Sequence, residues 1–257
     1  EPLLSEQISN WVADDVNIPG LCGGRVGAKQ GWLEAPYATV PYNLMQETES
    51  IKVICRDNRL DVRILGGLKQ NNPADVMRGE ETQIRGFLSV FSDFDGIICL
   101  PGTHTKWVHV SAGEVVSFRT FISGELFALM SNYSVLKYSV NSDGWSDQEF
   151  KSAVSESISN PQKIFSDFFK LRADDLLNKV AKSVLRSKLS GYIIGAELAG
   201  TKPYWLGQNV VILADNNLSK TYKAALEGQG IFAQEVDATK CTLDGLSQAF
   251  SLIHGRH

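Results

Sequence analysis

The sequence predicts an α/β protein of two lobes, and three observations lead to that prediction. From Asp95 onward, the apolar and turn patterns follow the order β-β-β-α-β-α-β-α once a long helical segment is set aside. The region before Asp95 starts with a helix and then a strand, as if the same unit lacked its first three strands. The 257 residues, of which 43% are hydrophobic and 21% are charged, are sufficient for one or two cores. We therefore expect a partial first lobe at residues 1–94 and a second lobe at residues 95–257.

The first predicted lobe opens with an amphipathic helix. The stretch LLSEQISNWV places Leu4, Ile8, Trp11 and Val12 on one helical face. This N-terminus is acidic and does not have the features of a signal peptide. A short strand is expected next, in NIPGLCGGRVG, where it runs into a glycine-rich turn.

The rest of the first lobe is predicted to alternate loops and strands before one helix. Pro19, Pro36 and Pro41 predict loops and short edge strands through QGWLEAPYATVPY. Alternating apolar residues predict strands in SIKVICRD and LDVRILGG. The stretch NPADVMRGEETQIRGFLSVF predicts a helix that begins near Arg78 or Gly79.

The second predicted lobe has a regular order of elements. Strands are predicted in GIICLPG, KWVHVSAGE and VVSFRTFISG, and a helix follows in GELFALMSNYSVL. A helical insert covers about residues 131–200, with a break at Asn160-Pro161. NVVILAD and IFAQEVDA are then predicted strands, and LSKTYKAALEGQG and LDGLSQAFSLIHG are predicted helices. This succession is that of a ribonuclease H-like unit, in which LPGTHTKW is the tight turn between the first two antiparallel strands.

Charge and cysteine content exclude several classes of protein. The net charge is −4 and no block of lysines or arginines stands out, so neither nucleic acid nor an anionic membrane is an expected partner. No apolar run approaches the roughly 20 residues that a membrane span needs. No C-x-x-C pair occurs among Cys22, Cys55, Cys99 and Cys241, so neither a zinc site nor a disulfide framework is expected. Reduced thiols are typical of a cytoplasmic protein.

The turn PGTHTKW is the first candidate for chemistry. A hairpin tip presents successive backbone N–H groups, and Thr103, Thr105 and Lys106 add two hydroxyls and a positive charge, which together suit a phosphate. A plain Pro-Gly hairpin, with threonines favoured by strand propensity, is an equally good interpretation. His104 is expected to be a hydrogen-bonded turn residue, because no serine or cysteine nucleophile accompanies it.

Two carboxylates, Glu80 and Glu81, follow a glycine at a predicted helix start. One of them would serve as a general base that takes a proton from a substrate hydroxyl. Acidic residues are also common at helix starts for reasons of helix dipole and capping alone. Arg78 and Arg85 lie two helical turns apart, and either would hold a carboxylate bidentately unless both are solvated surface charges.

The glycine-rich segment GGRVGAKQGWLEAPY offers polar and aromatic side chains to a sugar-like ligand. These side chains are Arg25, Gln30, Trp32 and Tyr37. Aromatic rings beside polar groups suit a sugar, but they suit an ordinary loop core equally well.

Two further stretches in the second half favour a ligand site. The strand-to-helix junction Ala214–Leu218 is a natural place for a ligand in an α/β sheet. Gly195 lies in the helix-like run GYIIGAELAG, where glycines allow either close helix packing or a flat wall for an adenine ring.

Together these stretches resemble the 2-dehydro-3-deoxygalactonokinase family, within the sugar-kinase and actin-like ATPase superfamily. The matching stretches run from about Gly24 to Leu226 and are GRVGAKQGWLEAPYATVP, VMRGEETQIRGF, LPGTHTKWV, FRTFISGEL, GYIIGAELAG and LSKTYKAAL. VMRGEETQ and PGTHTKWV are close to family signatures. The resemblance implies transfer of the ATP γ-phosphoryl group to the terminal 6-hydroxyl of a six-carbon 2-keto-3-deoxy sugar acid, with Mg²⁺ as the metal.

The resemblance also implies roles on the nucleotide side. PGTHTKW resembles the second phosphate-binding hairpin of the superfamily, so the candidate ATP contacts there are Gly102, Thr103, His104, Thr105 and Lys106. The junction that contains Ala214, Asn217 and Leu218 resembles the adenosine site, and Gly195 is the candidate adenine wall.

Roles on the substrate side follow in the same way. In related carbohydrate kinases a catalytic acid follows glycine at the helix just before that hairpin, so the resemblance implies Glu80 as the base and Glu81 as second choice. The substrate carboxylate would be held by an arginine, for which Arg78 is favoured. The expected partners are therefore a sugar acid and ATP.

One family element is missing from the sequence. The family begins with a strand–turn–strand of the type D-W-G-T-T-x-L-R, which supplies the first phosphate loop and a magnesium-associated aspartate. A non-catalytic remnant that binds sugar acid or nucleotide without turnover is therefore the main alternative. A NAD-dependent aldonate enzyme is disfavoured, because no G-x-G-x-x-G follows any strand. The missing strands would leave a sheet edge uncovered, which predicts either an aggregation-prone chain or a homodimer.

Overall fold

The computed structural model describes residues 2–8 and 17–255. The chain divides into two compact units, of which the first comprises Glu1–Asp95, Val110–Phe118 and Ala238–His257 and the second comprises Gly96–His109 and Arg119–Asp237.

These units differ from the predicted lobes, which divided the chain once, between residues 94 and 95. Two pairings account for the difference. Val115 forms an antiparallel bridge with Tyr42, and the C-terminal helix Ala238–His254 packs on the helix Glu80–Val90. Both pairings join a late segment of the chain to the first unit.

The strands of the described residues are short, and most carry buried apolar side chains. In chain order they are β1 Ile18–Cys22, β2 Tyr37–Thr39, β3 Ser50–Lys52, β4 Leu60–Leu65, β5 Gly67–Asn71, β6 Ala74–Met77, β7 Gly96–Leu100, β8 Thr105–Ser111, β9 Glu114–Phe121, β10 Val210–Ala214 and β11 Gln234–Asp237.

The helices follow the predicted apolar periodicity. In chain order they are α1 Pro2–Ile8, α2 Glu80–Val90, α3 Ser123–Tyr133, α4 Lys137–Val140, α5 Asp147–Ser159, α6 Ile164–Asn178, α7 Lys182–Gly200, α8 Lys202–Trp205, α9 Asn216–Glu227 and α10 Ala238–His254. Two 3₁₀ turns, Gly24–Gly27 and Pro161–Lys163, complete the described helical elements.

The first unit contains two three-stranded sheets within its described residues. In one sheet β1 pairs in parallel with β4, and β3 pairs antiparallel with β4. In the other, β2 pairs in parallel with β5, which forms an antiparallel hairpin with β6. This hairpin was not predicted, because its strands alternate weakly and two of the four residues of β6 are exposed.

The core of the first unit lies under β4 and the N-terminal helix. Val62 and Ile64 of β4 are fully buried, and Leu4 and Ile8 of α1 pack against the same cluster, as the predicted helical face requires. Trp11 and Val12, which the prediction placed on that face, lie outside the described residues.

The largest sheet has the order β11-β10-β7-β8-β9. β10 pairs in parallel with both β7 and β11. Every residue of β7 and β10 is buried, as expected for strands covered on both faces. The predicted succession of three strands, a helix, a strand, a helix, a strand and a helix is therefore confirmed, with the helical insert after α3.

The helical insert packs through glycine contacts. It breaks at Asn160-Pro161 as predicted, and a second break follows α6, where Lys179 adopts a left-handed conformation with φ +53°. A Cβ added to Gly191 would lie 2.6 Å from the Phe150 carbonyl oxygen, so α5 and α7 are in backbone contact. Among the described residues, no helix combines the length and apolar character that a membrane crossing requires.

The pair α2 and α10 depends on a similar contact in the first unit. A Cβ added to Gly86 would overlap with the carbonyl oxygen of Cys241, and one added to Gly245 would overlap with the carbonyl oxygen of Thr82. The two helices therefore meet backbone to backbone. This contact sets the position of α2, whose first residues are Glu80 and Glu81.

Substitution Gly86→Ala is expected to destabilise the protein strongly. The added methyl group has to push α10 away, and overpacking of this kind lowers the free energy of unfolding by about 3 kcal/mol. Thermal denaturation followed by circular dichroism measures the loss as a lower melting temperature.

Gly228→Ala is the matched control for this substitution. Gly228 ends α9 with φ −60°, and its added Cβ would meet nothing closer than 3.4 Å. The melting temperature of this variant should not fall. Equal losses in the two variants would show that the α2–α10 contact is not close-packed.

Candidate active site

Two glycines bring the start of α2 against the glycine-rich turn after β1. Gly79, the residue before α2, has φ +107°, and Gly24 in the turn has φ +66°, a region that favours glycine. A Cβ added to Gly79 would lie 3.3 Å from the Cα atom of Gly24. The close approach places Glu80 and Glu81 beside the turn Gly24–Gly27.

The two carboxylates at the start of α2 have different surroundings. Glu80 is half-buried, and its Oε2 accepts a hydrogen bond from the Arg78 N–H at 3.0 Å. Glu81 is 4% exposed, and its Oε2 accepts a hydrogen bond from the Gly79 N–H at 2.6 Å. Its Oε1 accepts one from the Thr82 hydroxyl at 3.1 Å. Glu81 is therefore enclosed, whereas part of the Glu80 side chain faces solvent.

Burial also changes the acidity of Glu81. Removal from water, with the negative charge of Glu80 added, raises the pKa of Glu81 to about 7. The hydrogen bonds from Gly79 and Thr82 act in the opposite direction. Glu81 thus exchanges its proton near neutral pH.

Arg78 clamps the segment before β2. Its Nη2 donates to the Ala35 carbonyl oxygen at 2.8 Å, its Nε donates to the Tyr37 hydroxyl at 3.3 Å, and its guanidinium carbon lies 4.1 Å from the centre of the Tyr37 ring. Within the described residues, the buried Nη1 has no hydrogen-bond partner. A Cβ added to Gly27 would lie 2.9 Å from this Nη1, so the glycine makes room for the guanidinium.

A shallow groove lies beside this clamp. It has a volume of about 440 Å³ and is lined by Glu34, Ala35, Pro36, Tyr37, Ser50 and Ile51. Since Ala35 and Tyr37 are the residues that Arg78 holds, the arginine shapes one wall of the groove.

Arg85, the other arginine that the sequence offered for a carboxylate, has a different role. It is 4% exposed, and its guanidinium donates to the carbonyl oxygens of Leu44 and Glu47. Burial lowers its pKa. Arg85 therefore fixes the loop between β2 and β3 from within the core.

The other predicted substrate contacts lie in the 3₁₀ turn and in the loop that leads from it to β2. Arg25 and Gln30 are exposed. Trp32 packs against the apolar cluster that contains Val62 and Ile64. Trp32 therefore fills the loop core, which was one of the two interpretations of this segment, and only Tyr37 among the predicted aromatic contacts lines the groove.

In the second unit, the hairpin between β7 and β8 sits directly on the start of α3. A Cβ added to Gly124 would overlap with the carbonyl oxygen of Gly102 and lie 3.0 Å from the Cα atom of Thr103. The Glu125 N–H donates to the Thr103 carbonyl oxygen at 3.0 Å. The hairpin tip and the N-terminus of an 11-residue helix are thereby held together, and both favour an anion.

The side chains of this hairpin differ in exposure. Thr103 and His104 are exposed, and a Cβ added to Gly102 would meet no atom within 4 Å. Thr105 is 0% exposed and Lys106 is 3% exposed. Lys106 Nζ donates to the His104 carbonyl oxygen at 3.1 Å. The tip is therefore the accessible part of the hairpin. Thr105 and Lys106 are buried beneath the tip, and the Lys106 hydrogen bond to His104 stabilises it.

His104 also has a side-chain partner. Its Nε2 lies 2.6 Å from Glu125 Oε2, and both side chains are more than 40% exposed. His104 is therefore a hydrogen-bonded turn residue, as predicted, and it links the tip to α3 a second time.

The junction at Ala214–Leu218 is capped by its own side chain. Asp215 Oδ1 accepts hydrogen bonds from the N–H groups of Asn217 at 3.1 Å and Leu218 at 3.0 Å. A second anion at this helix start would meet the Asp215 charge. The junction therefore suits a neutral group better than a phosphate.

Gly195 lies in the contact between α5 and α7. A Cβ added to it would lie 2.6 Å from the Val154 carbonyl oxygen and 2.8 Å from the Ser157 Cβ atom. This position corresponds to close helix packing, one of the two interpretations of GYIIGAELAG.

Comparison with known proteins identifies the family. A family model described as 2-keto-3-deoxy-galactonokinase matches residues 1–249. The chain belongs to this family. The family and the kinase function that the motifs predicted are thus confirmed.

Individual relatives of this galactonokinase-family chain agree. "Probable 2-dehydro-3-deoxygalactonokinase DgoK1" of Rhizobium meliloti (strain 1021) is 36% identical over 244 residues, which cover 93% of this chain and 79% of the relative. The 2-dehydro-3-deoxygalactonokinase of Escherichia coli (strain K12) is 30% identical over 231 residues, which cover 89% of this chain and 76% of the relative. A crystal structure from Sinorhizobium meliloti, assigned as a 2-dehydro-3-deoxygalactonokinase, matches with a TM-score of 0.91 at 33% identity and covers 100% of this chain and 84% of that one.

Glu197 was not among the residues that the sequence predicted for the site of this kinase. It lies near the end of α7, is 2% exposed, and accepts hydrogen bonds from Trp107 Nε1 at 2.8 Å, from the Tyr222 hydroxyl at 2.9 Å and from the Ser123 hydroxyl. The sequence feature that could have pointed to Glu197 is its position as a single acid in the apolar run YIIGAELAG. A charged residue in a buried helix needs hydrogen-bond or ion-pair partners. Which residues provide them depends on the tertiary structure.

The described residues do not provide an all-protein metal site. No group of three or more His, Cys, Asp or Glu side chains among them is arranged to hold a metal ion. Mg²⁺ in nucleotide sites is usually bound by one or two carboxylates together with substrate phosphates and water. We therefore assign no ligand and no catalytic step of this kinase to the metal.

Glu81→Gln is expected to flatten the pH dependence of stability. The pKa of Glu81 is about 7 in the folded protein against 4.5 for the ordinary group. Its contribution to stability is therefore fully present below pH 4.5 and is lost as the pH rises through 7. The difference corresponds to about 3 kcal/mol.

Melting temperatures measured between pH 5 and pH 8 test this expectation, and the wild-type protein should melt higher at pH 5. Glu197→Gln is the parallel variant, because burial raises the pKa of Glu197 to about 7 as well. Each substitution should reduce the change of melting temperature with pH. A slope that neither variant changes would show that both carboxylates stay ionised in the fold.

Proposed function

We propose that this chain transfers the γ-phosphoryl group of ATP to the terminal 6-hydroxyl of 2-keto-3-deoxy-D-galactonate. The observation that carries the proposal is the seating of the hairpin Pro101–Lys106 on the N-terminus of α3, in a chain whose family match covers residues 1–249. Phosphoryl transfer depends mainly on positioning and charge stabilisation. Backbone N–H groups and a helix N-terminus supply both to a phosphate.

The hairpin and α3 form the phosphate side of the proposed site. Gly102, Thr103 and His104 are the accessible residues of the tip, and Gly102 leaves open space where a side chain would stand. Thr105 and Lys106 act from below the tip, where Lys106 brings a positive charge within hydrogen-bond distance of the His104 carbonyl oxygen. Mg²⁺ would accompany the nucleotide as a counter-ion of its phosphates.

The adenosine side of the proposed site is the junction at Ala214, Asn217 and Leu218. Asn217 and Leu218 are exposed there, and Asp215 already satisfies their N–H groups. A neutral nucleoside therefore fits this helix start. We retain Gly195 only as a packing residue, because the α5–α7 contact encloses it.

The proposed sugar-acid contacts belong to the first unit. Arg78, which is half-buried, would hold the substrate carboxylate, and Tyr37 lines the groove beside it. Arg25 and Gln30 are exposed at the same loop and offer hydrogen bonds to sugar hydroxyls. A guanidinium already oriented by its own hydrogen bonds loses little entropy when a carboxylate binds.

Glu80 is the proposed general base. The 6-hydroxyl gives its proton to the Glu80 carboxylate, and its oxygen forms a bond to the γ-phosphorus. The bond between that phosphorus and the β,γ-bridging oxygen breaks, and ADP leaves with the electron pair. The enclosed Glu81 supports the backbone before α2 through its hydrogen bond from Gly79.

The finer fold assignment is part of the same proposal. The strand order β9-β8-β7-β10-β11, with β7, β10 and β11 parallel, supports a ribonuclease H-like unit of the actin-like ATPase and sugar-kinase type. The parallel pair β1 and β4 supports a second, partial unit of that type. We place the kinase in the cytoplasm, and we retain a homodimer as its proposed assembly.

An ADP-release assay tests the proposed function. The chain is incubated with ATP, Mg²⁺ and 2-keto-3-deoxy-D-galactonate, with the gluconate epimer in parallel. ADP formation that depends on the galactonate epimer is the expected result. Calorimetric binding of either ligand without ADP formation would instead establish the non-catalytic alternative.

Glu80→Gln is expected to lower kcat by roughly 10²–10⁴-fold, the usual contribution of a general base. The KM values should change little, because the amide retains the size and hydrogen bonding of the carboxylate. Initial rates of ADP release at varied sugar acid provide both constants.

Glu81→Gln is the matched control, since Glu81 is the enclosed neighbour of Glu80. The kcat of the Glu81→Gln variant should stay within about tenfold of the parental kcat. If Glu81→Gln loses activity and Glu80→Gln does not, the base is Glu81. If both variants keep parental kcat, the two acids only stabilise the helix start.

Thr103→Ala and Lys106→Ala are expected to weaken ATP binding by roughly tenfold, because each removes a hydrogen bond or a charge from the phosphate side. Sugar-acid binding should remain unchanged, since its proposed contacts lie in the first unit. Isothermal titration with each ligand separately measures both affinities.

Lys170→Ala is the control for the loss of a lysine charge, because Lys170 is an exposed lysine of the second unit outside the hairpin. It should leave both affinities unchanged. Equal losses for ATP and sugar acid in the hairpin variants would assign the hairpin a structural role only.

A further inference from the structure

We infer that Glu197 is a positioning residue of the nucleotide site, because its buried carboxylate holds β8, the start of α3 and α9 in one fixed arrangement. This inference rests on the proposed function, since it assigns Glu197 to the ATP side of that reaction. Of the candidate ATP contacts in the hairpin, Glu197 interacts with the buried Thr105. It acts through the residues that it holds.

Three different elements meet at this carboxylate. Trp107 of β8 donates to Oε1 at 2.8 Å, while Ser123 at the start of α3 and Tyr222 of α9 donate to Oε2, the latter at 2.9 Å. The Tyr222 hydroxyl also lies 2.9 Å from Thr105 Oγ1. The carboxylate thus contacts the third residue of β8, Trp107, directly and the first, Thr105, through Tyr222.

Each of these elements carries part of the proposed ATP site. β8 begins with Thr105, directly after the hairpin tip, and α3 carries the backbone on which the tip rests. α9 begins at the proposed adenosine junction. A shift of any one element relative to the other two would separate the phosphate contacts from the adenosine contacts.

The choice of a carboxylate here favours positioning over stability. Desolvation makes a buried acid costly, and an apolar side chain of similar volume often stabilises a core equally well or better. Three directional hydrogen bonds, by contrast, specify where Trp107, Ser123 and Tyr222 must lie. Removal of the acceptor would leave the buried donors of Trp107 and Ser123 unsatisfied, and Tyr222 would keep only its contact with Thr105.

The surrounding charges are consistent with this view. Burial raises the pKa of Glu197 to about 7, and the hydrogen bonds from Ser123, Trp107 and Tyr222 oppose the rise. The Glu197 charge acts on two neighbouring titratable groups, Cys99 of β7 and Tyr222 of α9, and burial together with this charge raises the pKa of both. Hydrogen bonds from neutral donors therefore stabilise the Glu197 carboxylate.

Glu197→Ala tests the inference most directly. The KM for ATP and the dissociation constant of ATP should rise roughly tenfold or more, as expected when buried donors lose their acceptor and the elements shift. The KM for the sugar acid should change less than about twofold, since its proposed contacts lie in the first unit. Steady-state kinetics and calorimetric titration with ATP provide these values on the full chain.

Glu197→Gln is the conservative variant that should restore ATP affinity. The amide oxygen still accepts from Trp107, and the hydroxyls of Ser123 and Tyr222 rotate to accept from the amide nitrogen. The ATP dissociation constant should return to within about threefold of the parental value. The remaining loss of binding free energy is then smaller than the contribution of one neutral hydrogen bond. Failure of Glu197→Gln to recover any of the loss in Glu197→Ala would contradict positioning by hydrogen bonds.

Leu189→Ala controls for a general loss of stability. Leu189 lies on the same helix, is 0% exposed, and packs in the separate apolar cluster with Leu136 and Phe168. It should lower the melting temperature and leave the ATP dissociation constant unchanged. If it weakens ATP binding as much as Glu197→Ala does, Glu197 is merely structural and the inference is wrong.

The outcomes also separate this inference from the proposed function. A parent chain that binds ATP but phosphorylates no sugar acid overturns the proposed function, and the ATP titrations of the variants still decide the role of Glu197. An active parent with parental ATP constants in Glu197→Ala overturns the role of Glu197 alone. A parent that binds no ATP overturns both.

Discussion

A buried carboxylate stabilises a fold only when hydrogen bonds replace its lost water, and this constraint connects the candidate site to the rest of the structure. Glu197 satisfies it with donors from three elements that are distant in sequence. Glu81 satisfies it with the backbone N–H of Gly79 and the hydroxyl of Thr82. In each unit, therefore, one enclosed acid fixes the elements beside the proposed ligand contacts, while exposed groups are left to meet the ligand.

Close approach of backbones complements these hydrogen bonds. Gly79 lies against Gly24 at the start of α2, and Gly124 lies against Gly102 at the hairpin tip. At both places a side chain would stand between two backbones that the site needs together. The glycines and the buried acids thus serve one purpose, which is to set the positions of helix starts and turns before any ligand binds.

Local patterns predicted the larger part of the fold. The strands of the largest sheet and the helix at Glu80 were evident from apolar runs and turn residues, because these features depend on neighbours in sequence. The β5–β6 hairpin was missed, since it is stabilised by pairing and exposes half of the β6 residues. The sites of Arg85 and Glu197 could not be predicted either, because their partners come from segments up to 90 residues away. Motifs therefore predicted the segments of the candidate site, but not the contacts that hold these segments in place.

The proposed reaction is tested most directly by ³¹P and ¹H NMR of the product formed from ATP and 2-keto-3-deoxy-D-galactonate. The expected product is a phosphomonoester whose phosphorus couples to the two protons on C6, formed together with an equal amount of ADP. A phosphate on any other hydroxyl, or no product above an enzyme-free mixture, would contradict the proposed function.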